Sequence, residues 1–134
     1  MSVDAVIDNS ALLEFLAGTN PDPALIRRLT TARGAAPELI DAEALNALRR
    51  LVQREVITEE QGRTTLGYVR DTPIVRVSHR PLMKRAWDLR NAISPYDGLY
   101  VALAEDLDVP LITCDVKLSK SSGHGARFEV YATS

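Results

Sequence analysis

The stretch Ser94–Asp115, SPYDGLYVALAEDLDVPLITCD, decides the fold. It reads as a helix from Tyr96 to about Leu107, a tight joint, and a strand from Val109 to Thr113. A helix of about a dozen residues advances ~18 Å at 1.5 Å per residue. The strand, with Cys114, returns nearly as far at ~3.3 Å per residue. Asp97, in the first helical turn, and Asp115, just past the strand, are therefore predicted to meet at one end of the unit.

Upstream, the same alternation repeats. Val3–Ile7 is a short apolar run carrying one charge, Asp4, and suits a buried strand of a parallel sheet. ALLEFLAG follows, with Leu12, Leu13 and Leu16 at helical spacing, Ser10 as expected N-cap and Gly18 as expected stop. Pro23 opens a second helix, ALIRRLTTARG, expected to end at Gly34. Pro37–Ile40 reads as a very short strand, and Asp41 as the cap of a long helix running to about Glu55. Ala44, Leu45, Leu48, Leu51, Val52 and Val56 form its apolar stripe, with Glu43, Asn46, Arg50 and Arg54 on a separate face. Thr58 caps a helix to Tyr68 with acids in its first turn. Pro73–Val77 is a third strand, Leu82–Ile93 a helix, SKSSGHGA a loop and Arg127–Tyr131 a last strand. Strands alternating with helices predict an α/β fold, a three-layer α/β/α sandwich on a mostly parallel central sheet, with residues 1–134 as one domain.

Composition narrows the function classes. With 46% hydrophobic and 25% charged residues the chain has the make-up of a globular protein, and a net charge of −2 announces no partner. Nucleic-acid binding would have to use a local basic patch. The single Cys114 excludes an internal disulfide and suits a reducing compartment. No apolar run approaches the roughly 18 residues that span a bilayer, and no basic, apolar leader opens the chain. The expected location is the cytoplasm.

Ligands of parallel α/β sheets bind beyond the carboxyl ends of the strands. Asp8 follows the first strand, Glu43 opens the helix after the second, Asp97 opens the helix that feeds a later strand, and Asp115 ends that strand. All four map to one edge. Asp106 and Asp108 lie at the far end of their helix, roughly 15 Å from Asp97. Singly, Asp8 and Asp115 suit turns or caps, Glu43 a helix dipole, and Asp97 a Ser94-x-x-Asp97 capping box. Together, with no Lys or Arg at those turns, four acids would repel one another unless a cation joined them. A hard divalent ion with oxygen ligands, Mg²⁺ or Mn²⁺, resolves the repulsion. It can also activate water and stabilise a leaving phosphate oxygen. Ser10 and Thr113 are candidates to support the ligands, Thr113 equally a strand-end hydroxyl. Arg50 and Arg54, on the same helix as Glu43, are the best candidates for phosphate contacts. Aromatic residues make up 5%, so base stacking is expected to be limited.

Other small α/β architectures fit less well. A receiver-type signalling domain would want two adjacent acids after the first strand, where Asn9 follows Asp8, and a haloacid-dehalogenase-like phosphatase would want an acid at Ser10. The residues VIDNSALLEFL, ELIDAEALNALRRL, SPYDGLYVALAEDLDVPLITCD and the T-x-D ending at Thr113 and Asp115 resemble a PIN-domain ribonuclease, specifically a VapC-type toxin of a bacterial toxin–antitoxin module. The resemblance spans nearly the whole chain. It implies Mg²⁺- or Mn²⁺-dependent hydrolysis of RNA phosphodiesters, in tRNA or ribosomal RNA. Asp8, Glu43, Asp97 and Asp115 take the metal-site and catalytic roles, and Ser10 and Thr113 supporting ones. It further implies a homodimer silenced by a VapB-type antitoxin. The alternative within the fold is a non-catalytic PIN module that only binds RNA or protein, against which the presence of all four acids speaks. One departure is Gly98, where Ala is more usual; Gly in a helix costs up to ~1 kcal/mol relative to Ala.

Overall fold

A computed structural model of the chain describes residues 2–134. Five strands form one sheet: β1 (Ala5–Ile7), β2 (Gly34–Pro37), β3 (Val75–Val77), β4 (Leu111–Thr113) and β5 (Phe128–Val130). Their order is β3-β2-β1-β4-β5 and every pairing is parallel. Around it pack α1 (Asn9–Ala17), α2 (Pro23–Thr31), α3 (Leu39–Gln53), α4 (Glu59–Asp71), α5 (Met83–Asp88), α6 (Pro95–Leu107) and α7 (Val116–Ser119), with a 3-10 turn at Arg80–Leu82. The result is the α/β/α sandwich expected.

The strand order reverses beside β1. From β1 the chain builds outward through β2 and β3, then crosses back to β4 and β5 on the other flank. A crevice opens at such a switch point, beyond the carboxyl ends of the strands. In register, Val6 faces Leu111 and Ile7 faces Ile112, so Asp8 arrives next to Thr113. α6 lies across the middle of the sheet, against β1, β2 and β4. Its Tyr100, Val101, Ala102, Leu103 and Ala104 are all buried, joining Val6, Leu12, Leu25, Ile40, Leu111 and Ile112 in the core. Each large apolar side chain so buried contributes ~1.5–3 kcal/mol.

Several expected boundaries move. The second strand is Gly34–Pro37, ahead of the expected Pro37–Ile40, so α2 stops at Thr31 and Gly34 lies in the sheet. α3 consequently begins at Leu39: Asp41 lies inside it, and Glu43 falls in its second turn. Leu45 and Val56, assigned to the apolar stripe, are exposed; the buried line is Ile40, Ala44 and Leu48. Leu82–Ile93 is helical only to Asp88, because the last turn tightens: the Leu89 N–H is shared between the Arg85 and Ala86 carbonyls. The N-cap of α1 is Asp8, whose carboxylate accepts the Ala11 N–H, and Ser10 sits in the first turn. Thr58 does cap α4, in a full capping box with Gln61.

Gly98 has a packing reason. A Cβ there would lie 3.2 Å from both the Cα and the Cβ of Ala86. The bare Gly98 backbone lets α6 come close against α5. That approach keeps α6, and with it Asp97, seated over the sheet.

Candidate active site

The four acids come from four different elements. Asp8 follows β1 and caps α1, Glu43 lies in α3, Asp97 in the first turn of α6, and Asp115 follows β4 as the cap of α7, accepting the Leu118 N–H at 3.0 Å. Two of the four therefore cap helices, as each alone suggested, and lie beside the other acids as well. The capping box proposed for Asp97 is half formed. Ser94 accepts the Asp97 N–H at 3.1 Å, yet the Asp97 carboxylate makes no hydrogen bond to the Ser94 N–H.

Asp8 is the most enclosed. Its Oδ1 accepts the Ser10 hydroxyl at 2.7 Å and the Ala11 N–H at 3.0 Å, and its Oδ2 accepts the Thr113 hydroxyl. Ser10 Oγ in turn accepts the Cys114 N–H at 3.0 Å, and Thr113 Oγ1 accepts the Asp115 N–H at 2.9 Å. Ser10 and Thr113 thus stitch the end of β1 to the end of β4, with Asp8 held between them.

Burial is the largest influence on the Asp8 proton and pushes its carboxyl up to about 6, against hydrogen bonds that pull it down and with the Asp97 charge adding to the rise. Glu43 is raised chiefly by burial and further by Asp97 and Asp8, with the Tyr100 hydroxyl opposing. Asp97 is raised chiefly by burial and then by Asp115. Each charge is felt by its neighbours, as one cluster requires. Among the described residues, no Lys, Arg or His forms an ion pair with any of the four.

Whether a metal ion fits turns on the donors. They are all carboxylate oxygens, hard ligands suited to Mg²⁺ or Mn²⁺, and their charge has no protein counterpart. As they stand, no three acid, His or Cys side chains among the described residues are close enough to hold one ion together. The donor chemistry fits a hard divalent cation.

A cavity of about 510 Å³ takes in Glu43 alone of the four acids, lined also by Asn9, Leu39, Ala42, Asn46, Ala47, Arg50 and Tyr96. Arg50 faces this groove beside Glu43, whereas Arg54 does not line it and lies past the end of α3 as its C-cap. The sequence reading missed Asn9, Asn46 and Tyr96 as groove residues, and missed Tyr100, whose hydroxyl donates to Glu43 Oε1 at 2.6 Å. A signal for Tyr100 was present: it stands three residues after Asp97, on the inward face of α6, where a phenol needs a polar partner.

Comparisons with known proteins bear on the family and the fold. Residues 5–123 match the family model described as PIN domain. Ribonuclease VapC12 of Mycobacterium tuberculosis is 39% identical over 127 residues, covering 95% of this chain and 98% of that protein. Ribonuclease VapC1 of the same organism is 40% identical over 122 residues, covering 90% and 92%. The chain belongs to the PIN-domain family, among its VapC-type ribonucleases. In fold it is similar to VapBC2 from Rickettsia felis bound to a DNA fragment from their promoter, with a TM-score of 0.68 at 14% identity, covering 95% of this chain and 98% of that one.

Proposed function

We propose that this protein is the toxin of a type II toxin–antitoxin pair, an endoribonuclease that hydrolyses RNA phosphodiesters with Mg²⁺ or Mn²⁺. The observation that carries the reading is that Asp8, Glu43, Asp97 and Asp115 stand at one edge of the sheet and feel one another's charge, with no basic side chain among the described residues paired to them. Its membership among VapC-type ribonucleases supports the activity.

Asp8, Glu43, Asp97 and Asp115 would hold the ion, which when bound supplies an activated water and charge neutralisation at the leaving oxygen. The chain's own residues do the rest. Ser10 and Thr113 fix the Asp8 carboxylate through both of its oxygens. Arg50 lines the groove beside Glu43 and is placed to meet a backbone phosphate. Tyr96, exposed at the groove's edge, offers a face on which a base can stack. The substrate class proposed is tRNA or ribosomal RNA. The working form proposed is a homodimer held silent by a VapB-type antitoxin in the cytoplasm. No helix among the described residues is long and apolar enough to cross a membrane.

Purified protein incubated with total RNA, with and without Mg²⁺ or Mn²⁺, tests the activity. Metal-dependent cleavage that Asp97→Ala abolishes is the expected result; equal cleavage by wild type and variant, or cleavage unaffected by chelation, overturns the assignment. Mapping RNA 5′ ends after induction in cells names the target. Growth arrest by the wild type, spared by Asp97→Ala, tests the toxin role.

A further inference from the structure

The side chain of Tyr100 is 2% exposed, yet its hydroxyl reaches across from α6 to α3 and donates to Glu43 Oε1 at 2.6 Å. No other hydrogen bond to the Glu43 carboxylate is formed among the described residues. Glu43 hangs on three rotatable bonds, and both Asp8 and Asp97 are near enough to push on its charge. Without a fixed partner that carboxylate has room to turn, since it lines an open groove. Tyr100 can hold it because its own ring is buried in the core cluster that includes Val101 and Leu103. The bond also leaves Oε2 with no hydrogen-bond partner among the described residues. One oxygen is anchored and one is available. Tyr100 stands one turn beyond Asp97 on α6, so the same helix that delivers Asp97 also sets the aim of Glu43.

We propose that Tyr100 is a positioning residue that holds the Glu43 carboxylate by one oxygen so that the other is presented to a divalent cation. The proposal rests on the metal-dependent nuclease reading above and assigns Tyr100 no contact with substrate. Ligating carboxylates are themselves oriented by hydrogen bonds from a surrounding shell, and loss of such a bond weakens metal affinity by roughly 10–100-fold.

Mn²⁺ binding, read by the paramagnetic signal of free Mn²⁺ or by calorimetry, tests the proposal in four proteins: wild type, Tyr100→Phe, Glu43→Gln and the double variant. Phenylalanine keeps the ring and its packing, and melting of each metal-free protein is measured alongside. The expected result is a roughly 10–100-fold weaker Mn²⁺ affinity in Tyr100→Phe, weaker binding in Glu43→Gln, and a double variant no weaker than Glu43→Gln alone. Wild-type affinity in Tyr100→Phe beside weakened Glu43→Gln would leave the metal site standing and remove Tyr100 from it. Additive losses in the double variant would show Tyr100 acting other than through Glu43, which also overturns the proposal. Failure of the wild type to bind Mn²⁺ would overturn the nuclease reading and this one with it. Should Tyr100→Phe melt below the assay temperature, Glu43→Asp probes the hydrogen bond from its other end. The shorter carboxylate falls short of the phenol, and Tyr100→Phe added to it should then change nothing; a further loss would count against the proposal.

Discussion

Replacing Asp8 by Asn should make the metal-free protein more stable at neutral pH, although it removes a site residue. The carboxyl is pushed from 3.8 to about 6, chiefly by burial. A folded value above the unfolded one means that the folded state holds the proton more tightly. The stability tied to that proton is fully present below pH ~4 and is lost as pH rises through about 6. Above that, the ionised wild-type carboxylate costs the fold ~3 kcal/mol, at 1.36 kcal/mol per pH unit. Asn carries no charge and caps α1 about as well as Asp. It also introduces an N–H where a carboxylate oxygen accepted the Thr113 hydroxyl, and that hydroxyl, already accepting the Asp115 N–H, must turn toward Ser10, 3.3 Å away. One disturbed hydrogen bond costs ~1 kcal/mol. The net gain is ~1–2 kcal/mol at pH 8, or about 3–7 °C in Tm for a chain of this size.

At pH 4.5 most of the charge penalty is gone, so the variant should there be equal to the wild type or slightly less stable. Thermal melts with a chelator at the two pH values give the comparison. An Asp8→Asn variant that is less stable than wild type by the same margin at both pH values would refute the reasoning, because the buried charge would then carry no penalty. Metal provides the converse: a ligand at 100 times its dissociation constant stabilises the native state by about 2.7 kcal/mol. Saturating Mn²⁺ should therefore raise the wild-type Tm and leave the variant's nearly unchanged, reversing their order at pH 8.

Gly98→Ala gains up to ~1 kcal/mol of helix propensity but places a methyl 3.2 Å from Ala86 Cα, against backbone that yields little, at ~1–3 kcal/mol; urea denaturation should show a net loss of about 1 kcal/mol. Arg50→Ala should raise KM for RNA several-fold with kcat nearly unchanged, and flatten the log–log salt dependence of binding by a little under 1, since each phosphate neutralised on a single strand adds ~0.7 to that slope. Arg54→Ala, outside the groove, should leave both within about twofold, as titrations across salt concentrations would show. Thr113→Val removes a buried donor to Asp8 while keeping the shape, so it should destabilise the fold by ~1–3 kcal/mol at pH 8, and by less at pH 4.5, where Asp8 is protonated.

The elements legible in the sequence were those with a face to bury. α6 and α4 announce themselves by apolar spacing and by Ser94 and Thr58 at their starts, and β4 by the Leu111–Thr113 run. The four acids were legible because topology alone sends strand ends and the helix starts near them to one edge. β2 was misplaced because Gly34-Ala35-Ala36-Pro37 has none of the β-branched bulk that marks a strand. Its smallness is a tertiary demand: a Cβ on Gly34 would fall 2.4 Å from Ile7 Cδ1. Ser10 and Asp8 are both good caps two residues apart, and only the tie to Thr113, 105 residues away in sequence, makes Asp8 the one used. The Tyr100–Glu43 bond, between residues 57 apart, belongs to the same class of long-range facts that spacing within one helix cannot reveal.

That double use of the acids decides how substitutions here must be read. Asp8 and Asp115 each hold a helix start as well as a place in the cluster, so an alanine at either site removes a cap worth ~1 kcal/mol along with a charge. At Asp8 the two effects oppose each other above pH ~6, since losing the buried charge stabilises and losing the cap destabilises. Asp8→Ala can therefore look neutral in a melt while abolishing metal binding. At Asp115, Ala should lower stability and Asn should not, with both losing metal. The Asp97 side chain makes no backbone cap bond, so alanine there reports chiefly on the cluster and should stabilise the metal-free protein, whereas Glu43→Ala also orphans the buried Tyr100 hydroxyl, at ~1–3 kcal/mol. An Asp97→Ala protein that melts lower than wild type at pH 8 without metal would mean that its carboxylate is not opposed by its neighbours, and the shared-cation reading of the site would lose its electrostatic ground.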